Sequence, residues 1–313
     1  MRKILLMMSL VLGVLVFTSC SNDEVVNEEV EVGNELKSIK LSPQDQASLM
    51  MLHSQIVDYN NNDYVTGNSQ PRKAKWWKKF LKVVVTAFAD ATGYVAANVP
   101  GSLIASAVVG AYVARENVDV VIVPMNAKDN NPLKAPWKAT LKPNIEQCLS
   151  DSIGFYHNVV MSDLFKSEEA INNIKSLSDI EIADLSVSRG QDLIPNTYNL
   201  DITEWQKENT LTIAQTIYSL LYESETFEEF CEKLNSTGVV DPAILLVLEE
   251  YMKGLENSGS EERQEKYYND MIKLVKDAEM SPEIKEPLEG GFIIGNSSLN
   301  LWTEMTDDPS IEP

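Results

Sequence analysis

One stretch constrains this chain more than any other. Val83 to Ala114 is a run of 32 residues with a single charge, Asp90, and it is rich in Ala, Val, Gly and Ser rather than Leu. Small residues recur every fourth place at Ala89, Gly93, Ala97, Gly101 and Ala105. A second ladder runs through Ser102, Ser106, Gly110 and Ala114. This spacing lets two helix backbones approach closely, as in small-xxx-small packing. Asn98-Val99-Pro100-Gly101 interrupts the run. Phe80 to Val99 forms one arm, about 30 Å long as a helix and enough to cross a hydrocarbon core. Ser102 to Ala114 is too short to cross alone, so the pattern predicts a helical hairpin rather than two full spans.

The residues in front of the run set it apart further. Arg72 to Lys82 reads RKAKWWKKFLK, with six positive charges and no acid. Over residues 72–115 there are seven basic residues against one acid, whereas the rest of the chain after the first 19 residues holds 17 against 46. The formal charge of the whole is −21, which excludes nucleic acid as the main partner, because phosphate binding needs a cationic face. Trp76 and Trp77, flanked by Lys75, Lys78, Lys79 and Lys82, have the make-up of an interfacial anchor, with indoles at headgroup depth and cations on anionic lipid. Gly93, Gly101 and Gly110 are the matching close-approach points on the hairpin. Residues 72–115 are therefore expected to interact with a lipid bilayer. The alternative is that the hairpin forms the buried core of a globular domain, with acidic helices covering the lysines.

The N-terminus carries an address. Arg2 and Lys3 precede an apolar run, Ile4 to Phe17, of 14 residues, too short for a comfortable membrane helix and right for a signal peptide. It ends in Val16-Phe17-Thr18-Ser19-Cys20, which resembles the lipobox of bacterial lipoproteins, although Phe17 stands where Leu is usual. That resemblance implies cleavage after residue 19 and lipidation of Cys20, with acyl chains contributing about 0.8 kcal/mol per buried CH₂. The acidic residues that follow, within Ser21 to Glu29, look like the surface-export signal of Bacteroidetes lipoproteins. The expected location is the outer membrane, lipid-anchored and exposed at or released from the cell surface.

The remaining chain divides as 20–41, an acidic tether; 42–71, a helix and linker; 72–115, the cationic start and hairpin; 116–142, a strand at Val118–Val123 and a Pro-rich loop; and 143–313, a helical domain. Helix starts are signalled by Ser42-Pro43, Ser167-Glu168-Glu169, Thr203, the capping box Thr226–Glu229, Asp241-Pro242 and Ser260-Glu261. Asn60-Asn61-Asn62-Asp63 is expected to end the first helix, residues 179–202 to be irregular, and 292–302 to form a hairpin around Asn296-Ser297-Ser298. The fold class is mainly α: an antiparallel helical domain with a Gly/Ala-rich apolar hairpin and a small amount of β.

Catalytic patterns were sought in the same residues. The chain has no P-loop, GxSxG, HExxH or GxGxxG. Two His and three Cys leave little room for a zinc site. Cys148 and His157 lie nine residues apart and fall on different helix faces, and acid pairs such as Glu249-Glu250 arise by chance in so acidic a chain. The expectation is a non-enzyme with no cofactor and no metal. Cys148 and Cys231, the two thiols left after lipidation, are candidates for a disulfide in an oxidising compartment or for two separate buried thiols.

The cationic-aromatic start and the laddered run together resemble pore-forming bacteriocin peptides. The layout as a whole is similar to lipoprotein toxin precursors of gut Bacteroidales that are activated by proteolysis. This implies an Arg-specific protease as a partner, with Arg72, Arg115 and Arg189 as cleavage sites, and a surface receptor. It also implies an acidic body that restrains the cationic piece until cleavage. The competing expectation is a non-catalytic surface lipoprotein that serves as a helical binding or scaffold module.

Overall fold

A computed structural model describes residues 41–64, 74–116, 145–258 and 261–306. Every regular element among them is helical. In chain order they are α1 (Pro43–Tyr59) with a π-helical turn (Asn60–Tyr64), α2 (Ala74–Glu116), α3 (Ile145–Leu164), α4 (Glu168–Ser176), α5 (Asp179–Leu193), α6 (Glu204–Glu223), α7 (Phe227–Thr237), α8 (Pro242–Asn257), α9 (Glu261–Asp277) and α10 (Pro282–Thr306). The mainly helical class is as the sequence indicates. No strand occurs among the described residues, and the strand expected at 118–123 lies outside them, as do Cys20, Arg72 and the tether.

The outer helices begin where their local chemistry says they should. Ser42, Ser167, Ser178, Thr203 and Thr226 each accept a hydrogen bond from the backbone three residues on, and Asp241 accepts from Ala243 ahead of a helix opened by Pro242. Each such cap satisfies a backbone donor that the helix cannot satisfy itself. Ser178–Glu181 and Thr203–Gln206 close full capping boxes. At α7 only half a box forms, because the Glu229 carboxylate takes the amide of Glu225 instead. Asp45 ties the first helix to the last: its carboxylate accepts from the backbone N–H of Ser281 at 2.7 Å, just before α10.

α2 is the predicted hairpin. Ala97 and Asn98 leave helical geometry and fold 74–96 back against 99–116. Asn98 adopts φ 54°, ψ −143°, a conformation that L residues rarely occupy. The four-residue ladder is what brings the arms together. A Cβ on Gly93 would stand 2.5 Å from the Gly101 carbonyl oxygen and 2.7 Å from the Ala105 Cβ, and one on Gly101 would stand 2.1 Å from the Gly93 oxygen. Only glycine permits backbones this close.

The hairpin lies inside the bundle. From Leu81 to Ala114 only Asn98 is exposed. Leu81–Arg115 is long and apolar enough to cross a membrane, yet 89% of its most apolar window is buried. α10 and α6 supply its broadest contacts, with α5, α3, α4, α7 and α8 completing the cover. Phe88 sits edge-on to both Phe227 and Phe230 of α7. Leu103 fits over Gly190 of α5, Gly110 receives the Trp302 ring of α10, and Tyr112 stacks on Tyr218 of α6. A helix buried on all sides is apolar all round, and this one is.

Two local expectations give way to that packing. Residues 292–302 continue α10 rather than forming a hairpin. Gly290 and Gly291 make room for Tyr94 and for Ala91 and Val95 of the hairpin, and Gly295 lies beside Ala91, so these glycines are contact points, not turns. Most of the span 179–202 is helix α5, with Arg189-Gly190 inside it; Gly190 is small because Leu103 covers it. The first α-helix does end where Asn60 to Asp63 begins, with Asn60 as its cap and a π-helical turn following, and Asn60 donates to the Glu250 carbonyl and side chain.

Candidate functional site

The hairpin's one acid marks the most unusual chemistry in the bundle. Asp90 is fully buried, and three segments converge on it. Its Oδ2 accepts from Ser106 of the second arm at 3.0 Å, from Trp302 Nε1 of α10 at 3.2 Å and from Ser298 of α10. His157 of α3, also fully buried, brings Nε2 to 3.8 Å from the same oxygen. That separation is too long for a hydrogen bond. Asp90 Oδ1 and His157 Nε2 are both buried without a hydrogen-bond partner. Burial pushes the Asp90 carboxyl up to about 7, against the pull of Ser298, Ser106 and Trp302. Burial likewise pushes His157 down to about 4, opposed by its contact with Asn158. Each group is therefore held toward its neutral form, as desolvation requires.

The hairpin's threonines and Ser102 are satisfied within their own helix, while Tyr112 donates to Asp179 of α5. Thr86 donates to the Lys82 carbonyl, Thr92 to Phe88 and Ser102 to Val99. Asp90 and Ser106 join the two arms.

A cavity of ≈ 530 Å³ opens at the hairpin turn, bordered by Tyr94, Asn98, Pro100, Tyr198, Asp201 and Gln206 among others. Burial, with Tyr198, Glu289 and Glu286 nearby, pushes the Tyr94 phenol up to about 12. Gln206 and Thr203 are already engaged in the cap of α6, and Asn199 accepts from the Asp201 amide. The polar lining thus serves the turn between α5 and α6.

The residues singled out in the sequence are dispersed. Gly93, Gly101 and Gly110 lie at helix–helix contacts in the interior, so in the folded chain they face protein and not lipid. Lys75, Trp76, Trp77, Lys78 and Lys79 fall on the first turns of α2, and their side chains lie outside the described residues. Lys82 places its ammonium 5.5 Å from the centre of the Tyr222 ring of α6. Arg115 caps the end of α4, donating to the Lys175 and Leu177 carbonyls at 3.2 and 2.5 Å and reaching Asp179 at 3.7 Å. Arg189 is half-exposed on α5 and paired with Asp163 and Asp192, so it is a helical residue and not the loop residue expected of a cleavage site. Cys231 is a free, buried thiol on the inner face of α7, so the bridge to Cys148 is not formed. Burial pushes its pKa well up, which makes it inert. Glu249 and Glu250 both face Lys253.

Sequence reasoning noticed Asp90 only as the lone acid of its window. The signal was available: a carboxyl in the middle of an apolar run, flanked a few residues later by a serine ladder, needs polar company when buried. Its partners on α3 and α10 were invisible because the 292–302 stretch reads as strand and turn. No protein family, curated protein or solved structure matches the chain.

Proposed function

We propose that this chain is a surface lipoprotein that acts on membranes through residues 72–115, held inside the bundle until proteolysis, as a bacteriocin-like toxin precursor. The observation that carries this reading is the close fit of the hairpin's two arms on each other. Its arms close on each other through Gly93, Gly101 and Ala105, and Thr86, Thr92 and Ser102 bond to their own helix. A helical pair whose arms pack backbone to backbone and whose threonine and serine hydroxyls bond within the pair meets much of the requirement of a hydrocarbon environment, and on leaving the bundle it gives up the bonds of Asp90 to α10 and of Tyr112 to α5. The lipobox at Cys20 and the cationic-aromatic start at 72–82 support the same reading. Arg115 and Arg189 are engaged in helices, so cutting there requires local opening first.

A second reading, a non-catalytic helical binding or scaffold module, is favoured by how completely the other helices enclose the hairpin. The two separate in one experiment. Full-length chain without its signal peptide is added to vesicles of three parts neutral to one part anionic phospholipid, before and after treatment with an Arg-specific protease. The toxin reading expects dye release only from the cleaved sample. Absence of release from both samples at micromolar protein rules it out in favour of the scaffold.

A further inference from the structure

The arrangement around Asp90 fixes a proton inventory. Asn158 Nδ2 donates to the Ser297 carbonyl at 2.8 Å, which orients the side-chain amide and turns its Oδ1 toward His157 Nδ1 at 3.1 Å. An amide oxygen only accepts, so Nδ1 must carry a hydrogen. In the neutral ring Nε2 is then a lone pair, and it points toward Asp90 Oδ2 at 3.8 Å. An ionised carboxylate facing that lone pair in a dry interior is unfavourable, as is an imidazolium facing a protonated acid. One proton on the pair admits two forms. A buried imidazolium–carboxylate pair would close to hydrogen-bond distance rather than stand at 3.8 Å, which leaves the neutral form, with the proton on Oδ1 because Oδ2 already takes three donors.

The groups facing Asp90 are Ser106 from the second arm, His157 from α3, and Ser298 and Trp302 from α10. None of these carries a fixed charge. We propose that Asp90 and His157 form a single-proton site in which the proton sits on Asp90 Oδ1 and His157 stays neutral, so that the hairpin is uncharged from Val83 to Ala114 inside the folded chain. This concerns the folded chain and holds under either reading of function. If the membrane reading also holds, the hairpin leaves the bundle without a charge to shed.

The site has a signature in the pH dependence of folding. Asp90 titrates at about 7 when folded, above its ordinary 3.8, so its stabilising contribution is complete below 3.8 and is lost as pH rises through about 7. His157 titrates at about 4 when folded, below its ordinary 6.5, so its contribution is complete above 6.5 and is lost as pH falls through about 4. The two slopes oppose and offset between those limits. Removing either group exposes the other.

The test is urea unfolding from pH 4 to 8 of the full chain without its signal peptide, for the wild type, Asp90→Asn, His157→Gln and the double variant. The folding constant of Asp90→Asn relative to wild type is expected to rise with pH, by up to about tenfold per unit at its steepest. That of His157→Gln is expected to fall over the same range, and the double variant to stay level. Flat ratios for both single variants, or slopes of the same sign, overturn the proposal. Nitrogen NMR of the His157 ring in the wild type at pH 6 decides independently of any variant's folding. A neutral ring protonated at Nδ1 agrees, and an imidazolium contradicts it.

Discussion

The hairpin α2 and the short helix α7 beside it reach burial by opposite routes. α7 is amphipathic, buries Phe227, Phe230, Cys231 and Leu234 on one face and announces its start with Thr226. The hairpin has no exposed face: of residues 81–114 only the junction Asn98 is exposed, and Lys82, Val95, Ala96 and Tyr112 are half-buried. One helix is placed by its own periodicity, and the other by the company that closes around it. Where every face is apolar, sequence predicts the element well and its surroundings poorly.

Substitutions can break that contrast by probing each region in turn. Phe88→Ala should have the largest effect, because it empties a fully buried site between Phe227 and Phe230 where hairpin and α7 meet. A loss of about 3–5 kcal/mol in urea unfolding is expected. A loss below about 1 kcal/mol would mean the two regions are not tightly joined. Thr226→Ala, at the start of α7, should cost about 1 kcal/mol by removing the hydrogen bond to the Glu229 amide. The contrast sharpens if α7 tolerates its change locally while the change in the hairpin lowers the stability of the whole.

The same contrast explains what could be read without coordinates. Ser42-Pro43, Ser167, Thr203, Thr226 and Asp241-Pro242 are local signals, and each helix begins beside its signal. The hairpin, its break near Asn98 and its small-residue ladder are also local, and they are where the pattern puts them. The failures are all tertiary. The stretches around Gly190 and Gly295 read as irregular and as a hairpin, but these glycines, with Gly290 and Gly291, are small because a hairpin side chain or backbone lies against each. Arg189 reads as part of an irregular stretch, but it lies within α5 with its charge met by Asp163 of α3. The Asp90 site needed α3 and α10 in place before it could be seen.

The claim on which this account rests is that the hairpin is the innermost part of the folded chain. Native-state hydrogen exchange, resolved by residue, tests it most directly. Amides of 83–96 and 101–114 should exchange only through global unfolding, with opening free energies equal to that from urea, while amides of α4 and α7 exchange through smaller local openings. If the hairpin amides exchange faster than those of the helices that cover it, the hairpin is not the core of this protein.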